Sequence, residues 1–431
     1  MNEKVAAARY AALSWKELGV ARRVQLLRRF VEIFALRKEE FAQLTSKEMG
    51  MPIAESRADV QGALAYFSWY LDNAEKYLSP TVSLEGEGEV HTVYHEPYGV
   101  AAVIVPWNFP ASNFVWGCGQ NLIAGNTVVF KISEEVPLCG QMIEKMMQEA
   151  AVPAGVFNEV YGRGPVGALL SRQGVDLICF TGSTLTGASL YRSAAAGMHR
   201  VVMELGGSAP GIVCEDADLS VAIPSIYSAR FDNAGQACDA LKRLLVHESV
   251  WDPVVEMLVG RLEMVRLGDP LSEGTTMGPL VSKQQVDLLE RQVADAVERG
   301  AIVIKGGKHP ALPGAYYEPT LLSNITSDMR VWKEEVFGPV LPLVRFSTEE
   351  EAIALANDTE YGLGGYIYTR GMARAERMAS RLETGMVSVN GVNYTRPMNP
   401  FGGYKHSGIG REHGAWGFAD VTQTKVVARR K

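Results

Sequence analysis

Ligands of open α/β sheets gather at the carboxyl ends of strands, so polar or reactive residues beside short apolar runs are the first places to look for chemistry. Five segments stand out. In FDNAGQAC, Cys238 follows Asn233, Gly235 and Gln236. A thiolate attacks carbonyl carbon well and needs only a modest lowering of its pKa, although a free cysteine also serves as a small buried hydrophobe. In VVMELGG, Glu204 closes an apolar run ahead of two glycines. It reads either as a general base with room beside it for a substrate or as a solvated or ion-paired carboxylate. In AAVIVPWNFP, Pro106 and Pro110 fix the backbone around Asn108 and aim a carboxamide that can donate to a developing oxyanion. An ordinary Asn in a rigid turn has the same sequence.

Two further segments suit an anionic, flat cofactor. Phe180-Thr181-Gly182-Ser183, followed by TLTG, reads as a strand, a turn and a helix start, presenting backbone N–H groups and a positive dipole end to an anion. A tight turn explains the glycines equally well. The GxGxxG at Gly162, Gly164 and Gly167 is a weaker signal, because the acidic ribose partner expected ~20 residues further on is missing. In WKEEVFGPV, Glu334, Glu335 and Phe337 precede a strand, offering a carboxylate for a ribose diol and a ring to press on a flat cofactor, or simply a charged turn with a core Phe.

Which elements position these residues follows from periodicity. From Val5 to about Tyr77, apolar residues recur at three and four (Val24, Leu27, Phe30, Val31, Phe34), which predicts consecutive amphipathic helices. Residues 81–98 alternate around Gly86 and Gly88 and predict a β-hairpin. Strands are then expected at 101–105, 127–130, 156–160, 176–180 and 201–205, and again near 212–214, 244–247, 340–344, 365–368 and 386–389, with helical stretches between. Such alternation implies two doubly wound α/β domains with a cleft between them.

The chain has 431 residues, 47% apolar and 21% charged, suited to two or three packed domains. Its formal net charge of −7 gives no long-range attraction to nucleic acid or anionic lipid. The basic clusters Arg22/Arg23 with Arg28/Arg29 and Arg429/Arg430/Lys431 read as a solvated face and a charged tail. No apolar run approaches the ~20 residues needed to cross a bilayer, and the amino terminus lacks a signal-peptide pattern. A cytoplasmic protein without membrane association is expected. The five cysteines are scattered, without a CxxC pair or a His at metal spacing, which predicts free thiols and no metal.

Together, PWNFP, KISE, FTGSTLTG, MELGGSAP, NAGQAC, EEVFGPV and NPFGGYKHSGIGRE resemble, in order and over essentially the whole chain, the aldehyde dehydrogenase superfamily. The resemblance implies a Rossmann-like cofactor domain (1–80 and 99–207), a catalytic domain (208–414) and a small β oligomerisation element (81–98 and 415–431). It implies Cys238 as nucleophile, the Asn108 amide with the Cys238 N–H as oxyanion hole, and Glu204 as the base that activates water. It puts Lys131 and Glu134 on the adenosine ribose, Trp107, Gly182 and Ser183 near the pyrophosphate, and Glu335 with Phe337 at the nicotinamide ribose. A carboxylate on the adenosine ribose favours NAD over NADP. A homo-oligomer, dimer or tetramer, acting on a small-molecule aldehyde is implied.

The chain departs from the family pattern in two respects. The extra N-terminal strands and NPATGE-like segment of many members are absent. Members acting on succinate semialdehyde often carry Arg in the helix after PWNFP and six residues before the nucleophile, where this chain has Trp116 and Asp232. Neither replaces a cation, so a dicarboxylic semialdehyde is not the expected substrate. Arg396, expected to line the entrance, is the counterweight. Alternatives from the same residues are a CoA-acylating enzyme, against which Glu204 argues, and a non-catalytic binding protein, against which Cys238, Glu204 and Asn108 argue together.

Overall fold

The computed structural model describes residues 1–431. Four helices come first, Asn2–Glu17, Gly19–Leu36, Lys38–Met49 and Ile53–Leu78. Their apolar stripe is the one the spacing predicts: Leu27, Phe30, Phe34 and Phe67 are fully buried. Phe30 meets Phe34, Phe67 and Phe114 at centroid separations of 5.8, 5.8 and 5.5 Å, all tilted. Such pairings add roughly 0.5–1.5 kcal/mol each beyond the area they bury.

Six strands form the first sheet in the order Gly408–Ile409, Arg200–Glu204, Leu177–Thr181, Val100–Ile104, Thr127–Lys131, Phe157–Glu159. All pairs are parallel except the outermost, where Gly408 lies opposite Glu204. The N-terminal helices bury one face through Val103, Val128 and Phe130; Val100, Val129, Ile178 and Met203 pack on the other. Burial on both faces is why these strands read as unbroken apolar runs without alternation. The strand order reverses between Val100–Ile104 and Leu177–Thr181, so the Pro106–Pro110 turn and the Gly182–Ser183 turn leave the sheet side by side at its switch point.

The second sheet has seven strands, ordered Ile302–Lys305, Thr320–Ser323, Val340–Phe346, Leu241–His247, Ala209–Val213, Tyr366–Tyr368, Ser388–Val389. It too is parallel except at its first edge. Separate apolar clusters cover its two faces, one around Leu244, Leu322 and Leu341, the other around Ile212, Leu245 and Ile367. The architecture is therefore two doubly wound α/β units, as the alternation predicts. Three strands of these two sheets lie outside the expected set: Ile302–Lys305 is a half-exposed edge, Thr320–Ser323 has only four residues, and Gly408–Ile409 has two within a glycine-rich stretch; the separate two-stranded pair Tyr361–Gly362 and Tyr404–Lys405 was not expected either.

The expected hairpin is present as Thr81–Gly86 and Glu89–Pro97, turning at Gly88 with φ +89°. The C-terminal strand Thr422–Arg430 pairs along its other edge, from Thr422 opposite Pro97 to Arg430 opposite Glu89. No helix is long and apolar enough to cross a membrane. All five cysteines are free, and all but Cys238 are buried.

One buried cation ties the helical layer to the segment beneath the site. Arg23 donates to the carbonyls of Ile123 (2.9 Å), Lys16 (2.9 Å), Trp15 (3.2 Å) and Ala124 (3.2 Å). Burial without a carboxylate partner pulls its guanidinium down to about 10. Replacing Arg23 by Ala strands these carbonyls, and a loss of about 2–4 kcal/mol is expected. A lower urea midpoint at unchanged cofactor affinity is the measurement; an unshifted midpoint refutes the assignment.

Candidate active site

Cys238 stands on an unusual turn. After the helix Leu219–Phe231 ends, Asn233, Ala234 and Gly235 take φ values of +49°, +52° and +74° in succession. Two non-glycine residues in this region cost on the order of 1–3 kcal/mol each and persist only where their surroundings over-determine them. Here they do. The Asn233 N–H donates to Glu55 Oε2 at 2.6 Å, its side-chain amide to the Asn108 carbonyl at 2.8 Å, and the Gln236 amide to the Asn233 carbonyl at 3.1 Å. Gln236 Oε1 accepts from the Val281 N–H at 3.0 Å. A Cβ on Gly235 would stand 2.5 Å from the Gly338 carbonyl oxygen and 2.9 Å from that of Arg230. The turn carries Cys238 to the amino end of the strand Leu241–His247, not to a carboxyl end. The second sheet thus presents its strand starts to the carboxyl ends of the first.

Asn108 faces this turn and is only 6% exposed. Its Oδ1 accepts from Asn113 Nδ2 at 3.1 Å while its Nδ2 donates to the Gln236 carbonyl at 2.9 Å. Those two contacts fix which end of the carboxamide is which, and the group retains a second N–H beyond the one given to Gln236.

Cys238, Asn108 and Glu204 line one cavity of about 620 Å³. Glu204 is 2% exposed, and neither carboxylate oxygen has a hydrogen-bond partner. Burial pushes its carboxyl well above the ordinary range, the neighbouring Glu412 adds to the shift, and Arg411 opposes it. Glu412, also on the cavity wall, is pushed by burial up to about 8. The Cys238 thiol is raised by burial and by Asp239, Glu204 and Glu335, against the pull of Lys242. Burial therefore favours the protonated forms of Glu204, Glu412 and the Cys238 thiol.

The cofactor-facing residues divide between this cavity and a smaller one of about 230 Å³; Pro106, Trp107, Thr181 and Gly182 border both. Lys131 and Glu134 line the smaller one, their charged groups 3.5 Å apart. Burial pulls the Lys131 ammonium below its usual value. Ser183 caps the helix Thr184–Ala196 by accepting from the Thr186 N–H at 3.3 Å. This helix start opens onto the crevice and suits an anionic group. Glu335 accepts from Lys242 Nζ at 2.5 Å and from the Gly207 N–H at 3.1 Å. Phe337 packs edge-on against Trp107 at 5.7 Å. An elongated crevice with a helix N-terminus at its middle and a carboxylate near each end fits a dinucleotide.

On the substrate side, Trp116 lines the cavity and lies 5.1 Å from Phe401 and 4.6 Å from the buried His413. Asp232 also lines it, accepting from the Ser228 hydroxyl. Arg396 is exposed, its loop neighbours Asn393 and Thr395 line the cavity, and its charge bears on the Tyr66 hydroxyl.

Three residues escaped the sequence reading. Lys242 is fully buried and donates to the carbonyls of Cys238 (2.8 Å) and Gly207 (2.9 Å) as well as to Glu335. It sits inside the apolar strand that follows the nucleophile, and a charge inside such a run was the available signal. Glu412 arrives from the end of GYKHSGIGRE, and Asp239 follows Cys238 directly; neither has a strand-end signature.

Gly235→Ala tests the turn. Steric conflict with the Gly338 carbonyl displaces the sulfur, and an error near 1 Å costs roughly 100-fold in rate. A fall of that order in kcat with little change in dinucleotide affinity is expected; retention of more than about a third of wild-type kcat refutes the turn's role.

The sequence matches the profile of the Aldehyde dehydrogenase family over residues 1–427. It is 38% identical over 428 residues to the mitochondrial succinate-semialdehyde dehydrogenase of Arabidopsis thaliana, covering 99% of this chain and 81% of that protein. Its identity to the betaine aldehyde dehydrogenase of Bacillus subtilis (strain 168) is 40% over 421 residues, 96% of this chain and 86% of that one. Among solved structures, betaine aldehyde dehydrogenase from Staphylococcus aureus in complex with NAD+ superimposes with a TM-score of 0.95 at 33% identity, covering 99% of this chain and 86% of that one. With this similarity along its length, and with Cys238, Asn108 and Glu204 on one cavity, the chain belongs to the aldehyde dehydrogenase family.

Proposed function

We propose that this enzyme oxidises an aldehyde to a carboxylic acid through a covalent intermediate on Cys238. The observation that carries the reading is the shared cavity, lined by the Cys238 thiol, a carboxamide with a spare N–H and an unpartnered buried carboxyl. The sulfur adds to the aldehyde carbon, and the thiol proton leaves. The resulting oxyanion lies between the Asn108 amide and the Cys238 N–H, donors placed for charge that develops only during reaction. NAD, when bound, supplies the acceptor for the hydride that the thiohemiacetal carbon gives up as it becomes a thioester. Glu204, once deprotonated, takes a proton from water; the hydroxide adds to the thioester carbon, and the acid leaves as the Cys238 sulfur is released.

For the cofactor, Trp107, Gly182 and Ser183 line the middle of the crevice, Lys131 and Glu134 the adenosine end, and Glu335 with Phe337 the nicotinamide end. A carboxylate at Glu134 repels a ribose 2′-phosphate, which favours NAD over NADP. The cofactor unit is assigned to 1–80 and 99–207, the catalytic unit to 208–414, and subunit association to 81–98 with 415–431. The three-stranded sheet exposes Val82, Leu84, Tyr94, Val426 and Val427, apolar surface suited to a second copy of the chain. Light scattering at micromolar concentration is expected to give a dimer or tetramer, and a monomer removes that assignment.

The catalytic assignments make separable predictions. Cys238→Ser is expected to abolish turnover while retaining dinucleotide binding. Asn108→Ala is expected to lower kcat by roughly 10²- to 10³-fold, the usual effect of losing one oxyanion donor. Glu204→Gln should release one equivalent of reduced cofactor and stall, with the acyl group on Cys238 visible by mass spectrometry. Acyl-CoA in place of free acid as the main product would overturn the hydrolytic role. The pH dependence has a definite sign. Carboxyl groups raised as Glu204 and Glu412 are remain protonated, and inactive as bases, below their shifted pKa values. Turnover should therefore rise with pH above the ordinary carboxylate range. Glu412→Gln removes a like charge and should move that rise to lower pH; an unmoved profile in the variant counts against the coupling.

A further inference from the structure

We infer that the preferred aldehyde carries a cationic nitrogen, an amino or quaternary ammonium group a few carbons from the carbonyl. The inference rests on the aldehyde-oxidising reading above and concerns the far end of the substrate.

Asp59, Glu204, Asp232, Asp239, Glu335 and Glu412 line the cavity around Cys238, and no Lys, Arg or His lines it. Most of these acids are accounted for. Glu335 is paired with Lys242. Asp59 is held by the Ser112 hydroxyl at 2.5 Å and by the N–H groups of Ala111 and Ser112 at 3.2 and 3.3 Å. Glu204 and Glu412 are the buried acids beside the reacting carbon. Asp232 and Asp239 remain. The Tyr394 hydroxyl donates to Asp239 Oδ2 at 3.1 Å, and the Ser228 hydroxyl donates to Asp232. Both contacts are neutral, so neither aspartate has its charge matched by a salt bridge.

The second observation is independent of charge. The wall beside Cys238 is aromatic: Phe401 packs against Trp116, Cys238 packs on the small cluster that Phe401 forms with Leu363 and Met386, and Tyr366 lines the same cavity. Behind them Tyr66 lies 5.6 Å from Trp116, its hydroxyl buried without a hydrogen-bond partner. Aromatic faces attract ammonium groups, most strongly where water is excluded. A carboxylate, sulfonate or phosphate at this end would meet Asp232 and Asp239 with no Lys, Arg or His among the lining residues, Arg396 being exposed outside that lining. A neutral alkyl chain would fill the aromatic wall and leave the aspartates unmatched. A cation satisfies both features.

The test is kcat/KM with NAD for three aldehydes of similar reach: 4-trimethylammoniobutanal, its uncharged carbon isostere 5,5-dimethylhexanal, and succinate semialdehyde. Butanal serves as a control for chemistry alone. The cation is expected to exceed its isostere by at least about tenfold, the step that 1.4 kcal/mol of transition-state binding gives, with the anion slowest. This preference should shrink in Asp239→Asn and, at the exposed mouth, in Asp232→Asn. It should also weaken with added salt through KM. Equal or better efficiency with 5,5-dimethylhexanal, or a panel led by succinate semialdehyde, overturns the inference while leaving aldehyde oxidation intact. Failure to oxidise any of the four, butanal included, removes the aldehyde-oxidising reading itself.

Discussion

Two reciprocal hydrogen bonds join the working edges of the two sheets: the Asn108 side chain donates to the Gln236 carbonyl, and the Asn233 side chain donates to the Asn108 carbonyl. One partner is locked between two prolines, and the other is the left-handed turn that delivers Cys238. Neither segment holds this geometry through regular secondary structure. Without the contact to Asn108, the turn would have fewer constraints opposing its backbone strain; without the turn, the carboxamide would lose the acceptor that orients it. Much of the site's geometry follows from this junction. It sets where the sulfur stands relative to the oxyanion donor and where Glu335, approaching from the second sheet, meets the crevice that opens from the first.

Closing two sheet edges on one another also dries the space between them, and the electrostatics follow. Glu204 and Glu412 are buried as neighbouring acids, so each disfavours the charged form of the other. The same burial raises the Cys238 thiol, while Lys242 supplies a cation that draws it down again. Lys242 has its three donors committed, to the nucleophile's own carbonyl, to Gly207 and to Glu335. One ammonium group thereby links the reacting loop to the carboxylate at the cofactor end. A shift in Glu335 cannot leave the cysteine loop's electrostatic surroundings unchanged.

Much of the architecture was legible in the sequence because strands buried on both faces are written as short apolar runs, and amphipathic helices as a stripe at three and four. The elements that escaped have neither signature. Gly408–Ile409 is a strand only because it lies beside Arg200–Glu204, a non-local pairing with no local propensity behind it. Taken singly, Cys238, Glu204 and Asn108 each read more readily as an ordinary core or turn residue, and the order of seven segments tied them together. Lys242, Glu412 and Asp239 stayed hidden for a different reason. Their roles come from what faces them across the junction, and facing partners come from segments tens to hundreds of residues away.

The glycines around the site fall under the same constraint. A Cβ on Gly206 would stand 2.4 Å from Glu335 Oε2, one on Gly207 2.5 Å from the Cys238 carbonyl oxygen, and one on Gly402 2.8 Å from Glu204 Oε1. Each leaves room beside a different site residue: Glu335, the Cys238 backbone and the buried Glu204. Gly402 has φ +151°, so space and backbone conformation both restrict that position. Of the two glycines after Glu204, which in the sequence suggest room for a substrate, Gly206 lines the cavity, and both also let the second sheet approach. The aromatic and acidic wall beyond Cys238 bounds the rest of that cavity. Close approach of the two layers and the shape of the far wall are therefore set largely by different residues, so the far wall can change its chemistry without disturbing the junction between the sheets.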